Sequence, residues 1–415
     1  MTNGERVYIT GVGLLCSLGR GYEQVSAALR AGHSGIRAVP EWARLGLKAT
    51  IGGPIAPEAK AHSAERIPAN VRSAMSEAGL LCSLAAFDAL DDAGLTAEDL
   101  NRARSACIVG SGVASTEAVV QAAEKLYRGA ARKISPYTVL RAMCSSASTS
   151  VVGALGLRGR SYSLSSACAT SAHSIGHAYE LIRSGRTDVA IAGGGDELSE
   201  HIAAAFDALR TALSTRYNDR PQVASRPYDA SRDGFVLSGG AGIVVLESET
   251  HLRQRRGRAR ARVVGFGANS GPGDLVLPDL SGVAARECMR GAFDDAGLAA
   301  TQIDAINTHG TGTMAGDLAE VNSIRQVFGS RIPPFSSTKS MTGHALGGAG
   351  AIETIFCAAM LEGRCIMPSI NIDTVDPHFA DLPIVRNCQI ADVEYVLSNS
   401  FGFGGTNAAL ILGRV

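Results

Sequence analysis

No apolar run in this sequence approaches the roughly 20 residues that a helix needs to cross a bilayer. Met1 to Val7 is too polar for a secretory signal and leads straight into a strand. Net charge is missing as well. The 39 basic residues cancel the 39 acidic ones, so nothing points to nucleic acid or an anionic membrane as the main partner. Charged residues are sparse, 19% against 46% apolar, a balance that excludes a disordered chain. The nine cysteines are odd in number and contain no Cys-x-x-Cys pair. That excludes a disulfide framework and leads us to expect a reducing, cytoplasmic setting. What remains is a folded chain, long enough at 415 residues for a large core and two or three domain-sized units.

One stretch organises the rest. Ser161 to Leu164 reads as a short strand, Ser165-Ser166-Ala167 as a turn of small residues, and Cys168 as the residue at or just before a helix start. The helix continues through Ile175, Ala178, Tyr179, Leu181 and Ile182, apolar at helical spacing. Unpaired backbone N–H groups and the positive end of the helix dipole would face the Cys168 sulfur, favouring the nucleophilic thiolate. A buried cysteine packing as a small hydrophobe fits the same residues equally well.

The chain reads as α/β with an internal duplication. Arg6 to Thr10 is expected as a strand, closed by a Gly11-Val12-Gly13 turn, with a helix over Tyr22 to Arg30. Pro40 to Pro68 has no clear period and reads as an irregular excursion. A helix from Ser76 to Ala93 ends at Asp91-Asp92-Ala93-Gly94-Leu95, and Cys107 to Ser111 is the strand after it. The second half repeats this order: strand Arg262 to Gly267, a helix ending at Asp294-Asp295-Ala296-Gly297-Leu298, and strand Ile303 to Thr308. A further strand, Thr187 to Ala192, ends in Gly193-Gly194-Gly195. Strands such as Ile243 to Leu246, apolar throughout, suggest parallel sheets covered on both faces.

Three more stretches set polar residues among glycines at strand ends. They are Asn307 to Thr313 around His309, Ser337 to Gly350 around Lys339 and His344, and Ser398 to Asn407 around Phe401 and Phe403. Any one histidine among them is most simply a satisfied structural residue. His173 and His177 have a metal-like i, i+4 spacing without the glutamate of a zinc protease, so no metal is expected there. His33, His62, His201, His251 and His378 have no chemical company in the sequence. One helix-start cysteine with two histidines and a lysine forms a set suited to acyl transfer through a thioester.

These motifs resemble the β-ketoacyl-[acyl carrier protein] synthases, type I, the condensing enzymes of fatty-acid synthesis. Leu213 to Asn218, Tyr228 to Phe235 and Pro368 to Asn371 add to the likeness, which runs from Val7 to Leu412. The resemblance implies a thiolase-like fold of two α/β halves in five layers, αβαβα. The halves would be 1–250, with the nucleophile, and 251–415, with His309, Lys339 and His344. It implies Cys168 as the acylated nucleophile and His309 and His344 as the pair that holds the malonyl thioester and stabilises its enolate. Lys339 would orient that pair. The backbone N–H groups of Cys168 and Phe403 would form the oxyanion hole. Thr311 and Thr313 would meet the phosphopantetheine arm, which arrives on the carrier protein, and Phe401 would act as a gate.

Glu353 is implied as structural, and with Asn307, Ser398 and Asn399 as a holder of a monovalent cation. No other cofactor is expected. Arg66, Arg72, Arg128, Arg132 and Lys133 form a basic surface expected to dock the acidic acyl carrier protein. Met314 departs from most of the family, which carries proline there, and would loosen the loop beside the pantetheine channel. The partner would be a second copy or a paralogue. Alternatives are a ketosynthase of a dedicated polyketide or aryl-polyene pathway, and a non-catalytic chain-length subunit, which would lack the nucleophile. A thiolase would need a second cysteine within Phe401 to Asn407, and none is there.

Overall fold

The computed structural model describes residues 4–61, 63–272 and 274–415, so residues 1–3 and His62 of the sequence reading lie outside it. Ten strands carry the fold: β1 (Val7–Cys16), β2 (Ser105–Gly110), β3 (Arg160–Tyr162), β4 (Val189–Asp196) and β5 (Gly240–Ser248), then β6 (Ala261–Ser270), β7 (Ala305–Asn307), β8 (Phe335–Ser336), β9 (Tyr395–Gly402) and β10 (Thr406–Gly413). The main helices are α1 (Glu77–Ala93), α2 (Ser146–Leu155), α3 (Thr170–Arg183), α4 (Val283–Ala296), α5 (Met314–Phe328) and α6 (Ala349–Gly363).

The strand order is β3-β2-β4-β5-β1 in the first half and β8-β7-β9-β10-β6 in the second. A short antiparallel ladder between β1 and β6 joins them into one sheet. Each half is mixed, not parallel. β2 runs parallel to β3 and β4, and β7 to β8 and β9. β5 and β10 are antiparallel to both of their neighbours. For β10 the reason is the chain itself: the few residues between Gly402 and Thr406 allow a hairpin but no crossover.

The repeated pentapeptide has a structural cause. Asp92 accepts the backbone N–H of Val12 at 2.9 Å, and Asp295 accepts that of Phe266 at 3.0 Å. Gly94 and Gly297 end their helices in the left-handed conformation. Val12 and Phe266 each sit between two glycines within a strand, so Gly11-Val12-Gly13 is no turn. A Cβ on Gly13 would lie 2.0 Å from the Ala85 carbonyl oxygen, and one on Gly267 would lie 2.1 Å from that of Cys288. These glycines let α1 and α4 press against their strands. Gly193 to Gly195 likewise continue β4, which ends at Asp196. The Pro40 to Pro68 excursion carries short helices, its Ile51–Gly52 pairs with Arg37–Ala38 just before it, and Trp42 within it is buried.

Three of the apolar cores define five layers. Ile9, Val12 and Leu14 of β1 meet Ile175 of α3 and Ile355 of α6 in the central layer. Leu15, Ile243 and Val245 face Leu81 and Leu84 of α1 and Val151 of α2. Met289 and Phe293 of α4 and Ile324 of α5 cover Leu397 and Ile411. The segment Leu346–Gly363 is apolar and 18 residues long, enough on those grounds to cross a membrane, which the sequence reading missed because glycine and Glu353 interrupt it. It is a core helix, almost wholly buried between the two halves of the sheet. All nine cysteines are free thiols.

Candidate active site

Cys168 lies two residues before α3, on a turn whose Ala167 has φ 49°. Only a tightly held backbone keeps a non-glycine residue there. His309 and His344 come from loops after β7 and β8, in the other half. The Nε2 atom of His344 is 3.0 Å from the Cys168 sulfur. The two imidazoles stand edge to face with centroids 5.3 Å apart. One ligand-capable atom from each of the three residues falls within 4.8 Å of the others. The cysteine and both histidines therefore share one site.

Burial governs their protonation. It pushes the Cys168 thiol up to about 12, against opposing pulls from the Lys339 charge and from the backbone N–H groups of Phe403 and Cys168. The thiolate expected from the helix start is thus outweighed in the resting site, where the helix begins two residues later and desolvation dominates. Burial, with Lys339 second, holds both imidazoles well below their usual 6.5, so they are neutral. The Nδ1 atoms of both rings are buried without a hydrogen-bond partner among the described residues. A bare ring nitrogen tolerates that better than an orphaned N–H, so the proton belongs on Nε2. In His344 that N–H points at the sulfur.

Lys339 is buried and paired with Glu353 on α6. Burial pushes the Glu353 carboxyl up to about 7, with Lys339 pulling it down. Asn307 accepts from Thr338 at 3.2 Å, and Asn399 donates to Glu320 at 3.1 Å. Ser398 is buried on β9 beside them. The Thr311 and Thr313 hydroxyls are 3.1 Å apart, and Thr313 caps α5 by accepting from Gly316. Met314 is exposed on the first turn of that helix. Phe401 packs on the His309 ring at 5.9 Å. Phe403 is exposed at its tip and packs on Phe206.

The basic surface is less free than its sequence suggests. Arg66 forks onto Asp91 at 2.6 and 3.1 Å and stacks over Phe87, and Arg128 approaches Glu124 at 3.8 Å. Arg72 is half-buried, while Arg132 and Lys133 are exposed. His173 and His177 do not converge on a metal: His173 meets Ser166 at 2.7 Å and His177 meets Tyr162 at 2.8 Å. His201, His251 and His378 do have company, each pairing with a carboxylate, on Glu117, Glu247 and Asp376.

Sequence reasoning missed Glu320 and Asp317. Glu320 accepts the backbone N–H groups of His309 at 2.9 Å and Gly310 at 2.8 Å. Asp317 accepts those of Gly312 and Tyr228 and pairs with Arg232. Their i, i+3 spacing at the start of α5 was the available signal. It puts two carboxylates on one helix face beside the His309 loop.

Comparison with known proteins agrees with this geometry. The model of the beta-ketoacyl synthase N-terminal domain matches residues 4–251, and that of the C-terminal domain matches residues 260–373. The 3-oxoacyl-[acyl-carrier-protein] synthase 1 of Haemophilus influenzae is 44% identical over 413 residues, 99% of both chains. The crystal structure of a beta-ketoacyl synthase from Burkholderia phymatum superposes with a TM-score of 0.93 at 36% identity, covering 99% of this chain and all of that one. A type II polyketide ketosynthase solved with its acyl-carrier protein has a TM-score of 0.90 at 28% identity, covering 99% and 100%. With a thiolase-type fold, a cysteine and two imidazoles gathered at one site, and matches along its whole length, this chain belongs to the beta-ketoacyl synthase family.

Proposed function

We propose that the protein is an acyltransferase that extends acyl chains by decarboxylative Claisen condensation with malonyl-acyl carrier protein. The contact between the Cys168 sulfur and His344 Nε2, with His309 beside it, carries the reading. Cys168 attacks the acyl-carrier thioester, its sulfur proton passing to the departing pantetheine thiol. The N–H groups of Phe403 and Cys168, which already bear on the sulfur, receive the oxyanion. The malonyl thioester then enters past Thr311 and Thr313. The Nε2–H groups of His309 and His344 hold its carbonyl as the bond to CO2 breaks and its electrons form the enolate. The enolate carbon attacks the acyl carbonyl, and the bond to the Cys168 sulfur breaks. Neutral donors suit this step, because they stabilise a developing oxyanion without pairing with the malonyl carboxylate. The intact nucleophile argues against a non-catalytic subunit, and the 44% relative named above favours fatty-acid elongation.

Glu353 Oε2 and Asn399 Oδ1 are buried oxygens without a hydrogen-bond partner among the described residues, which fits a monovalent cation held there with Asn307 and Ser398. Such an ion would supply positive charge beside Glu353. Helices Thr116–Tyr127 and Thr138–Ala142 expose Val119, Leu126, Tyr127, Val139 and Leu140, an apolar face suited to a second copy in a homodimer. Arg132 and Lys133 remain available to an acidic carrier protein.

Intact-mass analysis with a panel of acyl-carrier proteins tests the reading. Acyl groups should appear on wild type and vanish in Cys168→Ala. His309→Ala and His344→Ala should still acylate yet lose condensation by roughly 100- to 1,000-fold. Loss of the acyl-enzyme in both histidine variants would overturn this division of labour.

A further inference from the structure

Asp196, the last residue of β4, is fully buried and forms no ion pair among the described residues. Its charge is met by dipoles alone. It accepts the N–H of Gly112 at 3.0 Å, of Val113 at 3.3 Å and of Gly347 at 2.7 Å, and the Ser111 hydroxyl. Burial pushes its carboxyl up to about 6 while these donors pull it down.

The segments it joins are unusual. Loop 111–114 holds Ala114 at φ 54°, loop 345–347 holds Leu346 at φ 47°, and the cysteine turn holds Ala167 at φ 49°. Backbone in that region is strained for a non-glycine residue and persists only where the surroundings over-determine it. The three turns touch. A Cβ on Gly112 would lie 3.0 Å from Asp196, 3.2 Å from the Ala167 carbonyl oxygen and 3.3 Å from the Gly347 nitrogen. Ser111 also accepts from the Ala114 N–H at 2.9 Å, so one carboxylate braces two strained loops from beneath. Gly347 is three residues past His344, and Ala167 precedes Cys168.

We propose that Asp196 is a positioning residue that locks loop 111–114 to loop 345–347 and so sets His344 against the Cys168 sulfur. The inference rests on the condensing reading above. It gives the joint between the two halves a chemical role: a carboxylate of the first half fixes an imidazole of the second.

Asp196→Asn keeps the volume but turns an amide NH2 toward N–H donors. Acyl transfer to Cys168 should persist by intact mass, KM for malonyl-carrier protein should hold, and kcat for condensation should fall about 100-fold. Iodoacetamide alkylation of Cys168, which needs no carrier protein, should accelerate, because the buried charge opposing the thiolate is gone. Glu197→Gln changes the adjacent buried carboxylate, whose hydroxyl contacts are longer at 3.4 and 3.5 Å, and should keep wild-type kcat. Wild-type kcat in Asp196→Asn, or an equal loss in Glu197→Gln, overturns the inference. If Asp196→Asn does not fold, Ser111→Ala should show the same kcat-only loss in weaker form, and wild-type kcat there overturns it too. A wild type that neither acylates nor condenses overturns the condensing reading instead, and limited proteolysis then decides the lock: cleavage in loop 111–114 should be faster in Asp196→Asn than in wild type, and equal rates overturn it.

Discussion

Replacing Lys339 by methionine removes the ammonium that pairs with the Glu353 carboxylate in the central layer. In the wild-type fold its carboxyl already stands at about 7, and without the ammonium it rises further. In the unfolded chain it titrates near 4.5. A carboxyl raised in the folded state contributes stability that is complete below the unfolded value and is lost as pH rises through the folded one. In wild type that loss stops near pH 7. In Lys339→Met it continues above pH 7 at about 1.4 kcal/mol per pH unit. By pH 9 the added cost, about 3 kcal/mol, meets the lower end of the roughly 3–5 kcal/mol for an uncompensated buried charge.

An unfolding entropy of about 2.1 cal/mol/K per residue over 415 residues amounts to about 0.9 kcal/mol/K. The Tm gap between variant and wild type should therefore widen by about 3 °C between pH 7 and pH 9. Scanning calorimetry across that range measures it directly. Lys339→Met/Glu353→Gln should abolish the widening, because no carboxyl remains to titrate. A gap that stays constant or narrows with pH, or a double variant that behaves like the single one, refutes the reasoning.

Cys168→Gln should lose acyl transfer yet keep releasing CO2 from malonyl-carrier protein, since its amide imitates the acylated sulfur; a radiolabelled CO2 assay reads this. Gly13→Ala drives a Cβ to 2.0 Å from the Ala85 carbonyl oxygen and should lower Tm more than Gly94→Ala, which meets nothing within 4 Å and bears only the left-handed backbone strain. Equal Tm losses would refute the close-approach argument. Because both imidazoles sit well below 6.5, the condensation rate should be flat between pH 6 and 8. An acid limb that starts above pH 6 and disappears in a histidine variant would count against neutral imidazoles.

Much of the fold was legible because local chemistry dictates it. Ser76 and Gly94 bracket α1 as a cap and a left-handed stop, and both signals are visible in the chain. The nucleophile turn and the two histidine loops were legible from small residues around a few polar ones. Gly11 and Gly13 were misread because glycine serves a turn and a close helix approach equally well, and only the position of α1 decides between them. The protonation of Cys168 stayed open in the sequence because a helix start is local, whereas the desolvation that opposes it comes from both halves. Asp196 was missed for a related reason: it acts on the backbone of other segments, and backbone N–H groups leave no trace in a sequence, whereas Glu320 had only its spacing from Asp317 to mark it.

The duplication explains why the site sits where it does. Each half ends its central strands at a turn facing the middle layer, so β2 and β4 bring Ser111 and Asp196 to the place where β7 and β8 bring His309 and Lys339. Had both copies kept the same residues, the cavity would hold two cysteines or two histidine pairs. Instead the first copy keeps the sulfur and the second keeps the imidazoles, and the Phe403 N–H of the second half also bears on the sulfur. Their coupling then depends on contacts across the joint, where Gly112 meets Gly347 and Gly350 meets Ala172 with no room for a side chain. A change that loosened this joint would separate the two half-reactions before it unfolded either half.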